Sequence, residues 1–160
     1  FSPDGKWVVY NGVFQEKPVL WKVPAEGGTP VRLTDDVSLR PAVSPDGKMV
    51  AHLHLDGQSQ RMKLAVVPME GNSPVKMFDT SIPEPHIVNW SPDGRMVTYV
   101  DTRDGISNIW GQPLDGSPSK PLTHFKSDNI FRFAWSTDGK KLACERGFYI
   151  NDVVLLSNFS

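Results

Sequence analysis

The chain has 160 residues, 39% of them hydrophobic and 22% charged, with a formal net charge of −1. This excludes a disordered polyelectrolyte, and the interspersed charges offer no basic stripe for a nucleic-acid backbone. A lone cysteine, Cys144, excludes an internal disulfide, and no run of about 18 apolar residues reads as a membrane helix. Thirteen glycines and fourteen prolines suit short strands joined by specified turns, and the length suffices for one domain with a sizeable core. The chain shows no signal-peptide pattern. It opens on Phe1 in the middle of a turn motif, without an initiator Met, so an excerpt of a longer protein is expected.

In chain order, the first turn is Ser2-Pro3-Asp4-Gly5, followed by strand Lys6–Tyr10, a loop over Asn11–Lys17 and strand Val19–Val23. A second turn, Pro24-Ala25-Glu26-Gly27-Gly28, leads to strand Val31–Thr34 and the polar connection Asp35–Ser38. The order then recurs: strand Leu39–Val43, turn Ser44-Pro45-Asp46-Gly47, strand Met49–Leu55, loop Asp56–Gln60, strand Met62–Val67, turn Pro68–Asn72 and strand Val75–Phe78. After the connection Asp79–Pro85 come strand His86–Trp90, turn Ser91-Pro92-Asp93-Gly94, strand Met96–Val100, loop Asp101–Ser107 and strand Asn108–Gln112. Turn Pro113–Ser117, strand Lys120–Thr123 and connection His124–Asn129 complete that unit. The last unit has strand Ile130–Trp135, turn Ser136-Thr137-Asp138-Gly139, strand Lys141–Glu145, loop Glu145–Asn151 and strand Val153–Leu156.

The Ser-Pro-Asp-Gly copies start 42, 47 and 45 residues apart, and Pro24, Pro68 and Pro113 keep the same phase at 44 and 45. Each tetrapeptide reads as a type I turn. Ser at its first position bonds nearby backbone, Pro presets φ, and Gly at its fourth position accepts a left-handed backbone, giving a tight hairpin with a bulge. In the fourth copy Thr137 replaces the proline. Four short strands at this period match a β-propeller blade. Near-continuous apolar runs fit sheets covered on both faces. The fold class is therefore all-β: an arc of about three and a half four-stranded antiparallel blades, part of a larger ring. One domain, 1–160, divides into a partial unit 1–37, full units 38–84 and 85–128, and a partial unit 129–160.

These residues carry a resemblance. Trp90-Ser91-Pro92-Asp93-Gly94, Val97-Thr98-Tyr99, Asn108-Ile109-Trp110, Leu114-Asp115-Gly116 and Pro121-Leu122-Thr123 resemble the TolB-like (WD-repeat-like) propeller repeats of bacteria. The first unit matches with Leu20-Trp21-Lys22-Val23, Glu26-Gly27-Gly28 and Arg32-Leu33-Thr34. The second departs most, with Lys63-Leu64-Ala65-Val66 and Met77-Phe78. The end of the chain, from Phe133-Ala134-Trp135-Ser136 to Val153-Val154-Leu155-Leu156, is similar to propellers attached to bacterial serine/threonine kinases or winged-helix regulators. The resemblance covers the whole chain, is specific for fold, and leaves function to the site. It implies a non-catalytic binding or sensor module for a protein, peptide or small ligand, with a protein or peptide partner expected, alongside the remaining blades of the parent propeller. It also implies a periplasmic or other extracytoplasmic location, with any membrane link through an upstream segment. The alternative is a regulatory or gating propeller of an enzyme, either a kinase or a prolyl-oligopeptidase-type peptidase, with the catalytic domain outside this chain.

No catalytic residue is expected within the 160 residues. A hydrolase needs a G-x-S-x-G elbow, which the sequence lacks. His52 and His54 share a strand face, the minimum for a metal pair, with His86, His124 or Asp56 as third ligand. His52 falls in phase with Tyr10 and Tyr99, however, and reads as a packing residue, so neither metal nor cofactor is expected. The loop Asp101–Gly105 lacks the spaced carboxylates of a calcium site. The repeated Asp4, Asp46, Asp93 and Asp138 read as backbone caps on the structural turns. Trp7, Trp21, Trp90, Trp110 and Trp135 mostly fall at repeating positions and read as packing between blades. The segments that vary while the strands stay in phase are the loops joining the second and third strands of each blade. There Gln15, Gln58, Arg103, Asp104 and Phe148 are the candidate contacts, and the connections between blades form a second candidate rim. Substitutions at Arg103 and Gln58 are expected to be nearly neutral for folding.

Overall fold

The computed structural model describes residues 1–71, 74–79 and 87–148. Thirteen strands and no helix occur among them: β1 (Trp7–Phe14), β2 (Lys17–Pro24), β3 (Val31–Arg32), β4 (Ser38–Val43), β5 (Met49–Leu55), β6 (Met62–Pro68), β7 (Lys76–Phe78), β8 (Val88–Trp90), β9 (Met96–Arg103), β10 (Ile106–Pro113), β11 (Lys120–Pro121), β12 (Asn129–Trp135) and β13 (Leu142–Gly147). They form four sheets ordered β1-β2-β3, β4-β5-β6-β7, β8-β9-β10-β11 and β12-β13. All pairings are antiparallel between consecutive strands. This is a partial all-β propeller. The strand expected over Val153–Leu156 lies outside the described residues, as do His86 and most of the connection expected over Asp79–Pro85.

Packing follows the apolar runs. Four consecutive residues of β5 (50–53), four of β6 (64–67) and five of β9 (97–101) are buried. Both faces of the two middle sheets are therefore covered. Ala51, Leu53, Leu64, Val66 and Phe78 of the second sheet meet Val88, Trp90, Val97 and Tyr99 of the third. Leu20 and Leu33 of the first sheet meet Val50, Val67 and Met69 of the second. Val100 and Ile109 meet Ile130 and Phe133. Each fully buried Val or Leu contributes about 1.5–3 kcal/mol relative to exposure. The sheets thus hold one another rather than standing alone. Strands β1 and β13, in the end sheets, show no such buried run.

The four tetrapeptide turns are superimposable in chemistry. The amide of Gly5, Gly47, Gly94 and Gly139 donates to the carbonyl of Ser2, Ser44, Ser91 and Ser136, with glycine φ between 68° and 74°. In every copy the serine hydroxyl donates to the aspartate Oδ1 at 2.6 Å. The same hydroxyl accepts from the amide of Trp7, Met49, Met96 or Lys141. The aspartate accepts from the amide of Lys6, Lys48, Arg95 or Lys140. Successive turns also lie close together: a Cβ on Gly47, Gly94 or Gly139 would lie 3.6, 3.8 or 3.3 Å from Pro3, Pro45 or Pro92. Each proline therefore shapes its own turn and lies near the glycine of the next.

Two expected loops are instead strand. Asn11–Lys17 is mostly β1, which pairs with β2 up to Phe14↔Lys17. The turn is only Gln15-Glu16, both at positive φ (48° and 64°). Asp101–Ser107 is likewise absorbed by β9 and β10, which pair up to Arg103↔Ile106. Its turn is Asp104-Gly105, at φ 52° and 74°. Positive φ at both central residues is a type I′ turn, whose twist matches the flanking strands. Asp-Gly is its usual sequence, so this hairpin was signalled; Gln-Glu is not.

Candidate functional site

Antiparallel order sorts the connections onto two rims. The Ser-Pro-Asp-Gly turns and the Pro24, Pro68 and Pro113 turns share one end of the sheets. Their backbones are stitched together by Ala25 N to Lys6 O, Met69 N to Lys48 O and Leu114 N to Arg95 O. The opposite rim carries the tips between the second and third strands of each unit, together with the links between sheets. There Leu55 N donates to Val37 O and Ser107 N to Asp128 O. Arg146 Nη2 donates to Ser127 O at 2.8 Å. Gln15, Gln58, Arg103, Asp104 and Phe148 all fall on this second rim.

Their surroundings differ. Gln15, Gln58 and Asp104 are exposed. Phe148 is 69% exposed, and Val13, near the first tip, is 74% exposed. Sequence reasoning missed Val13 because it assigned that residue to a loop, where an apolar side chain carries no facing. At the second tip, Asp56 accepts from Gln58 N and from Ser59 Oγ and pairs with Lys63 at 3.0 Å. The Ser59 hydroxyl and then Lys63 hold the Asp56 carboxyl well below its ordinary range. Arg103 differs from the free contact expected. Its Nε and Nη2 both lie 2.8 Å from Asp101 Oδ2, and its guanidinium lies 4.3 Å from the Trp110 ring centroid. Asp101 is buried. Arg103 is thus anchored within its own sheet. Two further rim stacks repeat the device: Arg32 on Phe14 at 3.8 Å and Arg146 on Phe125 at 3.6 Å.

Among the described residues no group of three or more His, Cys, Asp or Glu could hold a metal ion. The turn aspartates are consumed by their own turns. The Ser2, Ser44, Ser91 and Ser136 hydroxyls, and then the following backbone amides, lower the pKa of Asp4, Asp46, Asp93 and Asp138. They are carboxylates fixed as acceptors, unsuited to accepting and returning a proton near neutrality.

The comparisons agree with this architecture. A solved structure described as a putative TolB from Agrobacterium tumefaciens superposes with a TM-score of 0.78 at 23% identity, covering 91% of this chain and 52% of that one. The chain has a β-propeller fold similar to that of TolB structures. No family model matches it. Among curated proteins, Tricorn protease homolog 1 of Streptomyces coelicolor is 31% identical over 99 residues, 62% of this chain and 9% of that protein. Dipeptidyl-peptidase 5 of Trichophyton equinum is 28% identical over 164 residues, 85% of this chain and 22% of the relative. The chain thus spans between about a tenth and a quarter of these curated relatives' length.

Proposed function

We propose that this TolB-like arc is a non-catalytic interaction module that engages a protein or peptide through the rim bearing Gln15, Gln58, Asp104 and Phe148. The observation that carries this reading is the exposure of two large apolar side chains, Val13 and Phe148, on a rim whose tips vary while the opposite rim repeats one turn four times. Exposed apolar groups set among polar tips are the composition of a recognition surface. Arg103, held by Asp101 and Trp110, supplies a fixed cation on the same rim at little entropic cost. An extracytoplasmic setting belongs to the same reading and rests on the likeness to TolB.

The test is selection of peptides on the purified chain, followed by binding to Val13→Glu, Phe148→Glu and Gln58→Ala. Selected peptides should lose about tenfold or more in affinity to the first two and retain it for Lys48→Ala on the opposite rim. Equal loss in all four, or peptide hydrolysis abolished by one substitution within this chain, would overturn it.

A second reading is favoured by the peptidase-named relatives: the arc is part of a propeller that gates or positions substrate for a catalytic domain encoded elsewhere in the parent protein. The two readings share the rim. They part on whether joining this propeller to a peptidase domain changes turnover of long peptides more than short ones.

A further inference from the structure

Among the described residues, the one buried side-chain polar atom without a hydrogen-bond partner is His52 Nε2. His52 is fully buried on β5. Its Nδ1 lies 3.3 Å from Leu53 O. A carbonyl can only accept, so Nδ1 carries the proton and Nε2 is left as a bare lone pair. Strand alternation puts His52 on the same face as Val50, and its cross-strand partner Ala65 on the same face as Val67. Val50 and Val67 pack with Leu20 and Leu33 of the first sheet. His52 therefore sits in the seam between the first and second sheets, at the position that carries Tyr10 in the first and Tyr99 in the third.

The groups in phase with this seam offer little to stabilise an imidazolium. On β5 there is His54, whose ring centroid lies 6.2 Å away. On β6 there is Lys63, paired with His54 in register and bound by Asp56 and Asp79. Strand β7 contributes Met77 opposite Ala65, and β4 contributes Ser38 opposite His54. From the first sheet, β1 presents Trp7 and Val9, and β2 presents Leu20 and Lys22; the Lys22 ammonium reaches Met69 O at 2.8 Å. The two nearby carboxylates are both committed to Lys63, and the remaining ionisable neighbours are basic. A proton on Nε2 would create a buried cation whose new N–H has no acceptor.

We propose that His52 is an acid-sensitive latch: protonating it parts the first sheet from the second while the second, third and fourth sheets stay packed. Burial first, and His54 second, lower its pKa to about 4 from an ordinary 6.5, against the opposing Leu53 carbonyl contact. The folded chain therefore resists a proton that the parted or unfolded chain takes at about pH 6.5. The seam is at full strength above that value and weakens progressively as pH falls toward about 4. The outcome would be a rim whose first tip, with Val13 and Gln15, changes position relative to the other tips at mildly acidic pH.

Amide hydrogen exchange on the full 160-residue chain, corrected for intrinsic rates, tests this. Between about pH 6.5 and about pH 4, protection in β1–β3 should drop about tenfold or more while β8–β11 holds. His52→Phe and His52→Tyr, the latter placing the residue found in phase at 10 and 99, should abolish the selective loss; His54→Gln should retain it. The idea is overturned if both His52 variants lose β1–β3 protection as the parent does, if loss is uniform across the sheets, or if NMR shows His52 titrating at its ordinary value. Should one His52 variant fail to fold, the other variant and the NMR titration still decide.

Discussion

Gly94 adopts φ of +68°, a region that a β-branched residue enters only under strain. A Cβ there would also lie 3.8 Å from Pro45 of the neighbouring turn, so space is adequate and backbone strain sets the cost. Gly94→Val should destabilise by about 1–3 kcal/mol, read as a lower midpoint in thermal or denaturant unfolding. Arg103 behaves differently from what its position at a hairpin tip suggests. Arg103→Ala removes the two nitrogen contacts to Oδ2 of buried Asp101 and uncovers Trp110, and should cost about 1–3 kcal/mol. Gln58→Ala, at an exposed tip, should shift the midpoint within about 0.5 kcal/mol. If Arg103→Ala melts like the parent chain, Asp101 finds a replacement partner and the anchoring role fails.

At the scale of strands, side-chain size is set by cross-strand neighbours. Gly12 on β1 lies under Trp21: an added Cβ would come within 2.7 Å of its Cδ1. That ring also packs edge-on to Phe14, so it has little room to retreat. Gly111 on β10 lies under Met96, with Sδ 2.8 Å from an added Cβ and Leu122 at 3.4 Å. A thioether at the end of a flexible chain swings aside at small cost. Gly12→Ala should therefore destabilise by about 1–3 kcal/mol, and Gly111→Ala by clearly less. Comparing the two midpoints checks the claim, and the reverse order would contradict it. Neither glycine is needed for backbone conformation. Both are made necessary by what the partner strand places over them.

For the whole molecule, acid acts through two separable windows. His52 has a lowered pKa and is a base, so its contribution is intact above about 6.5 and lost as pH falls toward about 4. The turn aspartates are acids with lowered pKa values. Their contribution is intact above the ordinary value of 3.8 and is lost only as pH falls below it. The melting temperature should thus decline in two steps, the first absent in His52→Phe and the second retained. A single step below about pH 4 in the parent chain would show that His52 takes no part. Because each sheet packs on its neighbours, the first step should weaken one seam, while the second weakens four turns together.

The sequence alone determined the all-β class, the four-unit period, the antiparallel order and the chemistry of both turn families. Those follow from short-range physics: proline fixes φ, glycine accepts positive φ, and serine and aspartate bond backbone within a few residues. Ser44, Asp46 and Gly47 could be assigned their places from the tetrapeptide itself. The tertiary structure decided where the hairpins end, because cross-strand pairing carried β1 to Phe14 and β9 to Arg103 past the polar residues that had suggested loops. It also decided what the tip residues do. Arg103 became an anchor because Asp101 and Trp110 lie beside it across the sheet, and Val13 is exposed at the tip end of β1 although it shares the strand face of Trp7 and Val9, which pack on the second sheet. The sequence placed His52 in phase with two tyrosines. Only the packing of the first sheet on the second showed that this position is sealed from water and leaves one nitrogen unpaired.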